Sequence, residues 1–200
     1  MATTLPLRHR WTRREYDRMT DKGYFDHKRV EMIYGIIYKK DQQSPAHAYS
    51  THVLARILTK AFEPEYTVFQ YNQIRMLKNS DPEPDVSVCL GEFEKFTDHP
   101  NDATLVVEVS HTVRDLAFSR TFKAALYARA GVKDYWIVNL MNFQIEVFRE
   151  PVKISDRKFD YSIREIALPS ELISPLAKPD FKIAVKDIFP RVKNNPKEST

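Results

Sequence analysis

The sequence predicts an α/β fold of the mixed α+β type, in which a mixed β-sheet is flanked by helices. Two long segments repeat apolar residues at helical spacing, and short β-branched runs lie between and after them. One of those runs is apolar almost throughout, as in a strand covered on both faces. With 200 residues, we expect one domain over residues 1–190 and a polar tail over residues 191–200.

The composition is that of an ordinary globular protein, with 42% hydrophobic and 29% charged residues. No apolar run approaches the roughly 20 residues of a bilayer span, and the first residues lack the apolar core of a secretory signal. We therefore expect a cytoplasmic protein without a membrane partner. The single cysteine, Cys89, can form no internal disulfide and is predicted to lie in the core of a strand.

The net charge of +4 and the pI near 9.0 favour a polyanionic partner, although many basic enzymes have no such partner. Basic residues near the two ends are more typical of solvated tails than of binding arms. They are Arg8, Arg10, Arg13, Arg14, Lys193 and Lys197. Charge by itself therefore assigns no substrate.

The N-terminal segment is predicted to form a short helix and a hairpin. Thr12 and Glu15 have the spacing of a capping box at the start of a helix over residues 12–20. Two β-rich runs, VEMIY and IIYKK, flank Gly35, which tolerates the positive φ that a tight turn needs. Glu31 lies on the first strand of this hairpin.

The first long helix is predicted to begin after Ser44 and to extend to about Phe62, with apolar residues at the i, i+3, i+4, i+7 spacing. The run TVFQYNQIRML then predicts a strand, and two prolines in DPEPDVSVCL precede another that begins near Asp85. The run TLVVEVS predicts a strand buried on both faces, although Glu108 interrupts it. Asp85 and Glu108 are therefore carboxylates at strand positions.

A second long helix and several strands complete the predicted fold. Thr112 and Asp115 have the spacing of a cap, and the helix is predicted to end at Gly131. Its apolar stripe is predicted to consist of Leu116, Phe122, Leu126 and Ala130. The runs DYWIVNL, FQIEVFR and KFDYSIREI predict three more strands, and FKIAVKDIF is predicted to close the sheet.

Glu108 is the sharpest candidate for chemistry, because a carboxylate inside a buried strand costs several kcal/mol unless it is paired, neutralised or bound to metal. The alternative is that Glu108 faces the sheet edge or pairs with an arginine. Asp85 lies 23 residues earlier at the start of another strand, so neighbouring strands can bring both carboxylates to one cation. Carboxylate-held Mg²⁺ supplies the charge neutralisation and activated water that phosphodiester hydrolysis needs.

Lys123 is the cationic candidate beside these acids. It lies seven residues after Leu116 and four before Tyr127, so it shares a helix face with residues that point toward the sheet. A lysine beside the metal would complete a hydrolytic site. The alternative is that its aliphatic stem packs against the protein while its ammonium reaches water.

Successive blocks of the sequence resemble the Uma2 family (DUF820). They are PEPDV, LVVEVS and RDLAFSRTFKAALYARAGVKDYWIV, preceded by VEMIYG and SPAHAYSTHVLARIL. The resemblance covers roughly residues 12–190, and YARAGVKDYWIV is its most distinctive stretch. It implies a restriction-endonuclease-like core of the PD-(D/E)XK nuclease superfamily.

The resemblance also implies roles for individual residues. Asp85 and Glu108 would be the metal-binding carboxylates, and Glu31 would be the upstream acid. In the usual pattern of the superfamily the lysine lies two residues after the glutamate, where this chain has Ser110. The resemblance implies that Lys123, on a helix, replaces that lysine.

Other polar and aromatic residues are given structural roles. His47 matches a histidine in the family's first-helix block that could contact a phosphate, but we predict a surface histidine. His47 and His52 are five residues apart, about 140° around a helix, and are poor joint metal ligands. Asp115 is explained as part of a helix cap. The following aromatic residues are predicted to be core rather than nucleic-acid stacking residues: Tyr127, Tyr135 and Trp136.

The leading hypothesis is a Mg²⁺- or Mn²⁺-dependent endonuclease that acts on DNA. Asp85 and Glu108 would hold the metal, with Glu31 assisting, and Lys123 would orient the water or stabilise the phosphoryl charge. A homodimer is expected, because each subunit would cut one strand of a duplex. Two alternatives remain: a non-catalytic nucleic-acid-binding or assembly module, motivated by Ser110, and a metal-dependent hydrolase of another phosphate ester.

Overall fold

The structure, a computed structural model, describes residues 8–191, in which a six-stranded sheet has a helical layer on each face. This architecture confirms the predicted mixed α/β class. The predicted tail beyond residue 191, including Lys193 and Lys197, lies outside the described residues. Among residues 8–191, no helix combines the length and the apolar character that a membrane crossing requires.

Most of the predicted elements are present, and several differ in their bounds or pairing. The helices are α1 (Arg13–Asp21), α2 (Pro45–Phe62), α3 (Val113–Phe118) and α4 (Ala124–Ala130), with a π-helical turn over Ser119–Lys123. The strands are β1 (Val30–Ile33), β2 (Ile36–Lys39), β3 (Tyr66–Gln70), β4 (Val86–Leu90), β5 (Leu105–Ser110), β6 (Asp134–Asn139), β7 (Gln144–Ser155), β8 (Lys158–Ala167), β9 (Leu172–Ile173) and β10 (Ile183–Ala184). Short 3₁₀ helices cover Phe93–Lys95 and Val185–Ile188.

The main sheet has the strand order β3-β4-β5-β6-β7-β8, and only its β5–β6 pair is parallel. Parallel neighbours need a crossover, and the segment from α3 to α4 supplies it. The β1–β2 hairpin forms a separate two-stranded sheet, as predicted around the turn at Gly35. This crossover places the segment from α3 to α4 over one face of the sheet. Alternate side chains of β5 point toward that same face.

Alternation along β5 decides which face each side chain occupies. Leu105 and Val107 pack in the core on the α2 side, whereas Val106 packs in the core on the α4 side. Glu108 lies two residues after Val106 and therefore points toward the helix segment between α3 and α4. Cys89 of the neighbouring strand is 2% exposed, which confirms its predicted core position.

The predicted ends of the helices are confirmed by their capping interactions. Thr12 and Glu15 form a capping box at the start of α1. The Ser44 side chain accepts from the backbone N–H of His47 at the start of α2. Gly131 ends α4 in the left-handed conformation with a φ of 85°.

The helix after β5 differs from the prediction because a π-helical turn interrupts it. The N–H of Ala124 donates to the Ser119 carbonyl five residues earlier, and the Tyr135 hydroxyl donates to the same carbonyl at 3.1 Å. Phe122 was expected in the apolar stripe but is 54% exposed. Six residues at about 100° each turn Phe122 well away from Leu116, so the predicted stripe was wrong at this position.

Two strand predictions and one tail prediction are corrected. The strand predicted from TVFQYNQIRML ends at Gln70, because Tyr71 adopts a positive φ of 52°. The segment FKIAVKDIF does not close the main sheet: its strand β10 pairs with β9, while Val185 and Ile188 pack in the core beneath α2. Arg13 is no solvated tail residue, because its guanidinium Nε donates to the buried Asp81 carboxylate at 2.8 Å.

An ion pair fastens the π-helical turn to the sheet. Arg120 donates from Nε and Nη2 to the Glu146 carboxylate, at 2.7 Å each, and Asn139 Nδ2 donates to the same carboxylate at 3.0 Å. Burial by itself would raise the pKa of Glu146. The hydrogen bonds from Arg120 and Asn139 outweigh that effect, so this pKa lies below its ordinary value.

We predict that Glu146→Gln lowers the free energy of unfolding by about 1 kcal/mol near neutral pH, since the partner Arg120 is partly exposed. A carboxyl whose pKa is depressed by folding stabilises the protein above its ordinary pKa and loses that contribution as the pH falls through the folded value. Urea unfolding should therefore show a constant difference between wild type and variant near neutral pH, and a difference that shrinks as the pH falls below the ordinary pKa of a glutamate. Glu165→Gln, at an exposed position of β8, is the matched control and should show neither effect.

Candidate active site

The four residues predicted for catalysis line one cavity of about 510 Å³. Each has a different place in the fold: Glu31 lies on β1, Asp85 directly precedes β4, Glu108 lies on β5 and Lys123 ends the π-helical turn. The register that pairs Val86 with Val107 places Asp85 across from Glu108. The structure therefore brings all four predicted residues together.

Lys123 bridges two of the carboxylates inside the protein. Its Nζ lies 2.7 Å from Glu108 Oε1 and 2.9 Å from Glu31 Oε2, and its side chain is 3% exposed. The alternative in which this ammonium reaches water is therefore wrong. The Tyr127 hydroxyl also donates to Glu108 Oε1, at 2.7 Å. Glu108 thus contacts a lysine and a tyrosine; it neither pairs with an arginine nor faces the sheet edge.

Asp85 is held through one oxygen. Its Oδ2 accepts from the backbone N–H of Val109 at 2.8 Å and lies 3.3 Å from Nε2 of His47. Its Oδ1 is buried and has no hydrogen-bond partner among the described residues. The Lys40 ammonium lies 3.8 Å from Oδ1.

Burial and neighbouring charges separate the pKa values of the three acids. Burial would raise the pKa of Asp85 and of Glu31, but the ammonium groups around them outweigh it and hold both pKa values below the ordinary range. Burial also raises the pKa of Glu108, and here Lys123 and Lys40 do not fully offset it. Glu108 is thus the acid that is most easily protonated.

The Lys123 ammonium keeps its proton. Burial by itself would lower its pKa, but the carboxylates of Glu108 and Glu31 outweigh burial and raise the pKa above its ordinary value. A lysine in this state supplies a fixed positive charge and hydrogen-bond donors. It is unsuited to accept a proton from water.

Sequence reasoning misjudged His47 and missed Lys40. The predicted surface histidine is 5% exposed, because the first turn of α2 points its side chain at Asp85. Its spacing of seven residues before the buried Leu54 was a signal of the buried face. No comparable signal distinguishes Lys40 from the exposed Lys39, because only the packing of the hairpin against Asp85 does so.

The remaining predictions concern residues near these acids. Tyr127, Tyr135 and Trp136 are each 0% exposed, as predicted for core residues, although Tyr127 also contacts Glu108. The backbone N–H of Asp115 donates to Thr112 Oγ1 as a cap should, and the Asp115 carboxylate lines the cavity. Ser110 Oγ lies 3.2 Å from Ser119 Oγ, so it contacts the helix that carries Lys123.

The cavity offers carboxylate oxygens as candidate ligands for a hard divalent cation, and ammonium groups lie beside them. Among residues 8–191, no group of three or more His, Cys, Asp and Glu side chains is arranged to hold a metal ion. The positions beside the acids are instead taken by the ammonium groups of Lys123 and Lys40. However, Asp85 Oδ1 is without a hydrogen bond and both side-chain hydrogen bonds to Glu108 fall on Oε1. Carboxylate oxygens of this kind are the ligands that Mg²⁺ and Mn²⁺ favour.

Unsatisfied polar atoms concentrate at this cavity. Within the described part of the chain, seven buried side-chain atoms lack a hydrogen-bond partner, and four of them belong to residues that line the cavity. These four are His47 Nδ1, Asp85 Oδ1, His111 Nδ1 and Asp115 Oδ2. His111 Nδ1 and Asp115 Oδ2 lie 3.5 Å from each other, so Asp85 Oδ1 and His47 Nδ1 are the two of these atoms that face no such partner within hydrogen-bond distance.

Comparisons with known proteins agree with the fold and with the sequence blocks. The model of the Uma2 family, described as "Putative restriction endonuclease", matches residues 13–186. The crystal structure of "a putative nuclease belonging to DUF820" from Anabaena variabilis is similar, with a TM-score of 0.60 and 15% identity over 80% of this chain and 89% of that one. At this identity the likeness shows the fold. No curated protein matches the chain.

We predict that Lys123→Met lowers the free energy of unfolding by about 3 kcal/mol or more, because it leaves two buried carboxylates without their partner. Lys133→Met, at an exposed position, removes the same charge and should have little effect. Urea unfolding measures both. Adding Glu108→Gln to Lys123→Met should recover part of the loss; a double variant that loses stability additively would contradict the buried pairing.

Proposed function

Because the chain belongs to the Uma2 family of restriction-endonuclease-like proteins, we propose that it is a nuclease that cleaves DNA phosphodiester bonds with Mg²⁺ or Mn²⁺. The observation that carries the proposal is the pairing of Asp85 with Glu108 across neighbouring strands, in the cavity that also holds the Lys123 ammonium. This arrangement of two carboxylates and a fixed cation matches the needs of phosphodiester hydrolysis.

Asp85 and Glu108 would hold the cation. When bound there, the cation neutralises charge on the phosphoryl oxygens and makes a water molecule more acidic. The Val109 amide and His47 prepare Asp85 for this role, because both approach Oδ2 and leave Oδ1 without a hydrogen bond. His47 is thus a positioning residue.

Lys123 would stabilise the negative charge that develops on the phosphoryl group. Its raised pKa keeps it positive. Its contacts with Glu31 and Glu108 hold the ammonium in place beforehand, so it needs no reorganisation during the reaction. Glu31 acts through Lys123: its Oε2 also accepts from the Glu83 backbone N–H at 3.1 Å, which ties the hairpin to the segment before β4. Glu31 is therefore a positioning residue in this proposal.

A nucleic-acid substrate suits the charges at the rim of the cavity. Arg29, Lys39 and Arg114 line it together with Lys40; Arg29 and Arg114 also pair with Glu83 and Asp41, so the attraction to a phosphate backbone would be partly offset by these acids. We further propose that residues 1–190 act as one domain and that two copies form a homodimer, so that one site addresses each strand of a duplex.

The direct test is nicking of a supercoiled plasmid by purified protein in Mg²⁺, Mn²⁺ or EDTA. We expect nicking in the two metals and none in EDTA. Asp85→Asn and Glu108→Gln each remove a ligand charge while keeping the shape of the side chain, so each should reduce the nicking rate by at least about 100-fold. Glu94→Gln, at an exposed position, is the matched control and should nick at the wild-type rate.

Undiminished nicking by both Asp85→Asn and Glu108→Gln would contradict the proposed site. Ser110, at the position of the usual lysine, favours the second candidate, a non-catalytic nucleic-acid-binding module. That candidate requires salt-dependent DNA binding without nicking in either metal, and binding that Asp85→Asn leaves unchanged. Hydrolysis of a small phosphate ester with no action on DNA would instead indicate a different phosphoesterase.

Substitution of His47 provides a second test, which measures metal binding rather than turnover. His47→Ala removes one of the groups that hold Asp85 Oδ2 and should weaken Mn²⁺ binding in calorimetry by about tenfold. His47→Gln, which keeps a donor, should recover part of the affinity. His52→Ala, on the exposed face of α2, serves as control. Equal Mn²⁺ affinity in wild type and His47→Ala would remove the positioning role.

A further inference from the structure

We propose that Lys40 is a resident counter-cation that balances Asp85 when no metal is bound and that sets the divalent-metal affinity of the site. The inference rests on the proposed function, because it concerns the same carboxylates. It assigns a role to a residue that neither the sequence blocks nor the predicted catalytic set includes.

The hairpin delivers Lys40 to the site. Lys40 follows β2 directly, and its backbone N–H donates to the Arg29 carbonyl at 2.9 Å, which continues the hairpin ladder by one residue. The side chain is only 13% exposed and points toward the residues before β4. The same hairpin thus carries Glu31 on one strand and Lys40 after the other.

The Lys40 ammonium donates a hydrogen bond to Glu83 but only lies near Asp85. Its Nζ donates to the Glu83 carbonyl oxygen, lies 3.7 Å from Glu83 Oε1, and lies 3.8 Å from Asp85 Oδ1. The last distance is too long for a hydrogen bond. Lys40 therefore lowers the electrostatic cost of the buried Asp85 charge and still leaves Oδ1 without a bond.

Lys40 is not needed to neutralise Glu83. The Arg29 guanidinium already donates to Glu83 Oε1 from Nη2 at 2.5 Å and from Nε at 3.2 Å. The positive charge of Lys40 therefore remains available to offset the negative charge of Asp85. Because its hydrogen bond to the Glu83 carbonyl does not involve Asp85, Lys40 can keep that bond when another cation binds Oδ1.

The charge of the cluster shows why Lys40 matters for a metal. The carboxylates of Glu31, Asp85 and Glu108 face the ammonium groups of Lys123 and Lys40, which leaves one net negative charge. Lys123 is fixed by two short contacts, whereas Lys40 stands beside the free oxygen. A positive charge so close to a ligand atom repels a divalent cation in a partly buried site, where screening by water is weak.

Calorimetric titration of Mn²⁺ into the full chain tests the proposal. Lys40→Gln should bind Mn²⁺ at least about tenfold more tightly than wild type, because a positive charge has been removed from beside Asp85. Lys40→Met provides a second neutral side chain in case one variant does not fold, which circular dichroism and thermal unfolding check. Lys40→Arg keeps the charge and should bind as wild type does.

Lys39→Gln is the matched control. It removes one positive charge from the neighbouring residue, which lines the same cavity but is exposed, so solvent screens it. Its Mn²⁺ affinity should stay within about twofold of wild type.

The outcomes separate this proposal from the nuclease proposal. Tighter Mn²⁺ binding in folded Lys40→Gln or Lys40→Met, with Lys39→Gln unchanged, supports the role of Lys40 even if no nicking is seen. Unchanged or weaker binding in both neutral variants overturns it, as does the absence of Mn²⁺ binding in every variant. The plasmid assay decides the nuclease proposal independently.

Discussion

The Lys123 ammonium, buried between Glu31 and Glu108, is the interaction on which the site depends. Three carboxylates, those of Glu31, Asp85 and Glu108, are almost fully buried in one cavity, and such a cluster is stable only when cations neutralise it. Because Lys123 joins a hairpin strand to the central strand β5, it also links two sheets that share no strand. The cluster therefore organises the fold as well as the proposed chemistry.

The position of Lys123 depends on the π-helical turn over Ser119–Lys123. The turn is held to the sheet by the Arg120–Glu146 ion pair and by the Tyr135 hydroxyl on the Ser119 carbonyl. Irregular helical turns cost stability and are often found at functional sites, where they direct a side chain that a regular helix would misplace. The resemblance to the family implies a pattern in which a lysine usually lies two residues after the glutamate; here Ser110 occupies that position and contacts Ser119 of the π-helical turn. The helix lysine and the strand serine thus form one connected arrangement.

The acids differ in how firmly they are neutralised. Glu31 and Glu108 share a lysine at hydrogen-bond distance, whereas Asp85 receives only a distant ammonium on its free oxygen. A site that is balanced by its own side chains can fold before a cation arrives, which avoids the cost of three uncompensated buried charges. In the proposed function the same ammonium groups would compete with an incoming metal, so folding and metal binding would be coupled.

The sequence alone determined the local features, because each depends on residues close together in the chain. The capping box of Thr12, the hairpin around Gly35 and the carboxylate of Glu108 within an apolar strand were all readable in this way. The family blocks then indicated Glu31, Asp85, Glu108 and Lys123, which share one cavity. Tertiary structure decided the rest: the contact of His47 with Asp85, the nearness of Lys40 to Asp85 and the separate pairing of β10. These depend on which distant segments pack together, and no short-range pattern encodes that choice because it is made by the summed packing of the whole core.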